Sequence, residues 1–140
     1  MVPIKILLVA VLTFLCAYGA VGQIGLTRTE IKANSDCEFE EGVPDEGDLP
    51  FMYCIKKHLN ADGDTYSAGY CYYFDKETRQ CVGRKVLEPL SEINAWVKMC
   101  NKEYVSIGKM RWHDYATNIT VSIKTDDTTV HIFFFWDNEE

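Results

Sequence analysis

The string Trp112-His113-Asp114-Tyr115 sets an imidazole beside a carboxylate and a phenol in a chain of 140 residues. A histidine steadied by an acid can take a proton from water or a hydroxyl, so such a pair is minimal equipment for hydrolysis. The rest of that equipment is missing. There is no Gly-x-Ser-x-Gly elbow and no cysteine-protease box, and His58, His113 and His131 are the only histidines. Alternating exposure is the default in antiparallel strands, so His113 and Asp114 are expected to face solvent in a chain that is not an enzyme. A small secreted hydrolase built on the two is the third functional reading.

Metal chemistry fares no better. Asn60-Ala61-Asp62-Gly63-Asp64 brings carboxylates close together, as calcium sites do, but it lacks the spaced ligands and terminal Glu of an EF-hand loop and is expected to be a turn. Zinc would need cysteines or histidines at ligand spacing; no Cys-x2-Cys pair exists and the histidines are scattered. No cofactor and no metal are expected.

The chain opens as an exported protein does. Met1 to Lys5 is a short basic region, Ile6 to Tyr18 is unbroken and apolar, and Gly19-Ala20-Val21-Gly22 supplies the small residues of a cleavage site. Residues 1–22 are expected to be a signal peptide, and 23–140 a single secreted, extracellular domain beginning at Gln23. The apolar run is shorter than the roughly 20 residues that a bilayer span needs. Cys16 leaves with the leader, so Cys37, Cys54, Cys71, Cys81 and Cys100 remain to form disulfides in an oxidising compartment. Two bridges and one leftover are expected, with the pairing left open by spacing. The leftover thiol makes a disulfide-linked homodimer, and with it a structural or assembly component, the second functional reading. Asn118-Ile119-Thr120 is a glycosylation sequon, so Asn118 is expected to carry a glycan.

Charge points to the leading reading. The formal net charge is −7, and losing Lys5 with the leader makes it −8. That disfavours nucleic acid and anionic membranes as partners and favours a basic extracellular protein. The acids concentrate at Glu38, Glu40, Glu41, Asp45, Glu46 and Asp48, where Pro44, Gly42 and Gly47 exclude a helix. This is expected to be an exposed loop that steers a partner, with Phe39 among the carboxylates as an apolar anchor.

The elements that position these groups follow from hydrophobic period. Residues 23–36 offer only Ile24, Leu26 and Ile31 to a core and are expected to form an arm or one short strand. Tyr70 to Phe74 and Arg79 to Val82, rich in aromatic and β-branched residues, flank the turn Asp75-Lys76-Glu77-Thr78 and predict a hairpin. Leu90, Ile93, Trp96 or Val97, and Cys100 recur at helical spacing. Ile119, Val121 and Ile123, then Val130, Ile132, Phe134 and Trp136 after a Thr-Asp-Asp-Thr turn, recur with period two. His131, Phe133 and Phe135 make the last strand apolar on both faces, which predicts a central or doubly covered position. No internal sequence repeat is visible. The fold class expected is α+β, a small disulfide-stabilised domain of mainly antiparallel strands with one short helix.

Asp64 to Cys71, followed by Tyr72-Tyr73-Phe74-Asp75-Lys76-Glu77-Thr78-Arg79-Gln80-Cys81-Val82-Gly83-Arg84-Lys85, resembles the small cysteine-rich secreted proteins of tick saliva, over about a quarter of the exported chain. Val86 stands near where the closing cysteine of those proteins would be. Tyr72 to Asp75 with Cys81 is similar to the central strand of Kunitz inhibitors, without the Gly-Gly-Cys that should follow or a reactive-site cysteine. Glu38 to Glu41 resembles the exosite-binding tails of leech-type thrombin inhibitors, and the His113-Asp114 pair resembles that of secreted calcium-dependent phospholipases without their calcium loop. Together with the charge, the salivary resemblance implies an effector that sequesters or inhibits a basic host protein, such as a chemokine or a coagulation or complement protease.

Overall fold

The computed structural model describes residues 23–42, 45 and 48–137; the signal peptide expected at 1–22 lies outside them. The first element among the described residues is a helix, α1 (Arg28–Ala33), where an arm or strand was expected. A capping box accounts for it: Thr27 Oγ1 accepts from the Glu30 N–H at 3.3 Å while the Glu30 carboxylate accepts from the Thr27 N–H at 3.2 Å. The single apolar residue on its inner side, Ile31, is fully buried.

Four strands follow, β1 (Glu40–Gly42), β2 (Phe51–Leu59), β3 (Thr65–Phe74) and β4 (Cys81–Pro89). A short 3-10 turn (Leu90–Glu92) then leads into α2 (Ile93–Glu103), the helix expected from the spacing of Ile93, Trp96 and Cys100. Four more strands complete the chain, β5 (Val105–Gly108), β6 (Arg111–Asp114), β7 (Ile119–Thr125) and β8 (Thr129–Trp136). Three of the hairpins close on a side-chain carbonyl or carboxylate that accepts from backbone N–H groups: Asn60 from Asp62 and Asp64, Asp75 from Glu77 and Thr78, and Asp126 from Thr128 and Thr129. Asn60 to Asp64 is thus the plain turn that was expected.

All eight strands form one antiparallel sheet in the order β1-β2-β3-β4-β8-β7-β6-β5. A helix followed by a four-stranded meander therefore occurs twice, and the two meanders meet at β4 and β8, whose antiparallel register runs from Gly83 opposite Phe135 to Pro89 opposite Thr129. The repetition is topological. The sequence conceals it because β6 has four residues where its counterpart β2 has nine. β8 is central, which bears out one arm of the expectation drawn from its two apolar faces.

Both helices lie on the same side of the sheet. Alternate residues of the strands, including Val86, Val121, Ile132 and Phe134, meet Trp96 and Cys100 of α2 in one cluster; Met52, Tyr72, Phe74 and Cys81 meet Ile31 of α1 in a second. A mainly antiparallel α+β domain is what was expected, with a second short helix added. Among the described residues no helix is long and apolar enough to cross a membrane.

Among the described residues one disulfide is present, Cys37–Cys54, with Cα atoms 6.2 Å apart. It pins the segment leaving α1 to β2. Cys71, Cys81 and Cys100 are buried thiols, so the expected second bridge is not there. Geometry explains this: Cys71 stands opposite Tyr53 and Lys85 in the ladder, Cys81 opposite Phe74, and Cys100 lies under α2 in the other cluster.

Candidate functional site

The face of the sheet away from the helices is covered by no described element, yet it is lined with rings. Tyr53, Phe51, Tyr73, Phe135, Phe133 and His131 form an unbroken run, with successive centroids 6.4, 6.0, 5.5, 6.5 and 6.5 Å apart. It crosses from β2 through β3 to β8, passing over β4. A glycine of β4 makes the crossing feasible, and one of edge strand β1 lets Phe51 at the start of the run lie across its neighbour. A Cβ at Gly83 would sit 2.2 Å from the Phe135 ring, and a Cβ at Gly42 would sit 2.0 Å from the Phe51 ring. Each ring lies across a neighbouring strand in the space that a side chain would have filled, the close approach that glycine within a strand permits.

Beside this run lies a groove of about 640 Å³. Ser67, Gly69 and Cys71 of β3 line it between Tyr53 and Ile55 on one side and Lys85 and Leu87 on the other, with Pro89, Thr128 and Thr129 at one end. Small residues along the middle strand and larger ones to either side suit an apolar occupant. Ile55 and Leu59 remain 70% exposed on β2, so the apolar surface continues beyond the groove. Burial raises the pKa of Cys71, and the thiol stays neutral there. Lys85 Nζ lies 5.2 Å from the Phe133 centroid and Lys124 Nζ 5.6 Å, so one ring is flanked by two ammonium groups.

The opposite face holds a buried polar cluster between the helices. Arg84 and Glu88 alternate with Val86 and point inward. The Arg84 guanidinium lies 5.3 Å from the Tyr70 ring centre and 5.7 Å from that of Tyr72. The Tyr70 hydroxyl is 2.7 Å from His58 Nε2, and burial together with the nearby Glu88 pushes its pKa to about 12. Burial also raises the Glu88 carboxyl, against an opposing hydrogen bond from Trp96.

The acidic segment is less free than expected. Glu40 and Glu41 belong to β1, where the Tyr53 hydroxyl donates to Glu40 at 2.6 Å and Glu41 is shared by Arg28 at 3.3 Å and Lys32 at 3.5 Å. Phe39 packs edge-on against Tyr72, 5.8 Å between centroids, so its apolar surface is used within the fold. Glu38, Asp45 and Asp48 are exposed, and Glu46 lies outside the described residues.

His113 and Asp114 also differ from expectation. His113 is 9% exposed, and its Nδ1 faces both Thr120 Oγ1 at 3.2 Å and Asp137 Oδ2 at 3.3 Å. Asp114 accepts from Ala116 N–H and the Thr117 hydroxyl, closing the next turn. Because Thr120 and Asp137 address the same ring nitrogen, the imidazole cannot pass a proton from hydroxyl to carboxylate as a triad histidine does. Asn118 is exposed in the turn before β7, with its amide donating to the Asp137 carbonyl at 2.5 Å. Among the described residues, no three His, Cys, Asp or Glu side chains converge as metal ligands.

The groove and the ring run went unread in the sequence, although Gly69 and Gly83 inside aromatic strands are their signal. Arg84 and Glu88, spaced to share the face of Val86, were the signal for the polar cluster. Comparison of the chain with protein-family models, with curated proteins and with solved structures returns no match.

Proposed function

We propose that the chain is an extracellular binding protein that acts by sequestering its target, as a salivary effector would, and that the target sits on the open face of the sheet. The observation that carries this reading is the unbroken run of six rings beside an apolar groove on a face that no described element covers. Contiguous exposed apolar surface of this kind marks interaction sites in folded proteins. No covalent step belongs to the proposal. The imidazole of His113, which meets both a hydroxyl and a carboxylate, is wired to both through one nitrogen.

The test is to express the full chain in secreting cells grown in serum, recover it from the medium and weigh it intact under native conditions. Retained mass that disappears in Gly69→Val, which narrows the groove, supports the reading. Retained mass that persists in that variant, or no secretion at all, defeats it. The same spectrum reports cleavage before Gln23 and glycosylation at Asn118.

A second reading is a basic extracellular protein held at the β1 edge, favoured by the exposed Glu38, Asp45 and Asp48. Binding of that kind weakens in a triple Gln/Asn variant of those acids, whereas binding in the groove does not. A crosslinked assembly is disfavoured by the burial of all three thiols.

A further inference from the structure

Resting on the reading of the groove as a binding site, we propose that its ligand is a single-chain amphiphile with an anionic head, the chain lying against Leu87 and Tyr73 and the head reaching Lys85 and Lys124. The volume, about 640 Å³, lies in the range of roughly 300 to 1,000 Å³ of small-molecule sites. Its sides are aromatic and aliphatic, and Gly69 keeps the floor low, so an extended apolar chain gains contact along its length.

Charge selects the head group. The ammonium groups of Lys85 and Lys124 approach the same ring, Phe133, from β4 and β7, the two strands that flank β8. The acids near them are committed elsewhere. Glu88 contributes to the groove rim but is buried on the helix side, where Trp96 donates to it. Asp126 is held by the His131 ring at 2.9 Å and by its own turn. A ligand carboxylate, sulfate or phosphate therefore meets two cations, and a ligand ammonium meets two like charges. The acidic balance of the whole chain, −7, makes a local cationic pair against an apolar groove the more specific recognition element.

The experiment is displacement of a dansylated fatty acid from the purified full chain by oleate, by oleyl alcohol and by a long-chain trimethylammonium salt, all below their aggregation limits. Oleate should compete at least tenfold better than the alcohol, and the ammonium should compete worst. Lys85→Met with Lys124→Met should erase the preference of oleate over alcohol while leaving alcohol binding in place. Gly69→Val should abolish all three; the nearest neighbours of an added Cβ are side-chain atoms of Leu87 at ordinary contact distance, 3.4 Å and beyond, and an unchanged melting temperature confirms that the variant keeps its fold. Equal competition by all three ligands, with Gly69→Val still blocking them, overturns the head-group assignment and leaves the groove standing. No binding of any probe, or binding indifferent to Gly69→Val, overturns the groove itself.

Discussion

The two faces of β8 spend the same kind of residue differently. Val130, Ile132 and Phe134 are fully buried under α2, whereas His131, Phe133 and Phe135 lie half-exposed on the open face. Phe134 meets Trp96 and the rest of the packed cluster; Phe135 meets Tyr73 and the bare backbone of Gly83. Equal hydrophobicity thus supports stability on one side and is left available to a ligand on the other. The distinction is set by which face the helices occupy.

The sharpest way to break this comparison is to truncate one phenylalanine from each face. Phe134→Ala should cost about 3–5 kcal/mol in chemical denaturation, since it empties a packed interior site. Phe135→Ala should cost less, about 1–2 kcal/mol, since part of its ring stays exposed, while weakening groove binding. Equal losses would mean that the open face is covered after all.

Removing the disulfide tests what holds the helix face together in the first half. Cys37→Ser with Cys54→Ser frees a loop with a sequence separation of 17. Denaturant titration should show a loss of about 3 kcal/mol by the loop-entropy relation. The open face should keep its ligand affinity at temperatures where the variant remains folded.

A smaller effect with the opposite sign belongs to Glu88. Burial raises its carboxyl pKa in the folded chain, so the folded state holds its proton to higher pH than the unfolded state does. Stability is therefore unpenalised at low pH and falls as pH rises from the unfolded carboxylate value through the folded one. Glu88→Gln, which can still accept from Trp96, should raise the melting temperature at pH 7 and leave it nearly unchanged at pH 4. A fall at pH 7 would mean that the ionised carboxylate is needed by Arg84. Smallest of all, Thr27→Ala should cost about 1 kcal/mol by removing the cap of α1.

How much of this could be read in advance follows from which forces are local. The hairpin at Asp75, helix α2 and strands β7 and β8 depend on turn chemistry and hydrophobic period, and they stand where the sequence places them. Helix α1 was missed because its evidence is a capping box rather than a stripe, with Ile31 alone on its buried side. The described acids of the 38–48 segment are exposed as expected, but the partners of Phe39 and Glu41, Tyr72 and Arg28, are contacts that only the tertiary fold supplies. His113 looked exposed by alternation, yet Thr120 and Asp137 close over it. The groove arises where β2, β3 and β4 lie side by side, and no single strand announces it.

The three unpaired thiols sit at three depths: Cys71 in the groove, Cys81 in the α1 cluster and Cys100 under α2. Burial lifts Cys81 and Cys100 to about 11, so in the closed state at neutral pH almost none of either is the reactive thiolate. Each therefore reacts with a disulfide reagent only when its own surroundings open. Cys81 and Cys100 are thus two native stopwatches, and the order in which they are labelled reads out which half of the doubled sheet lets go first.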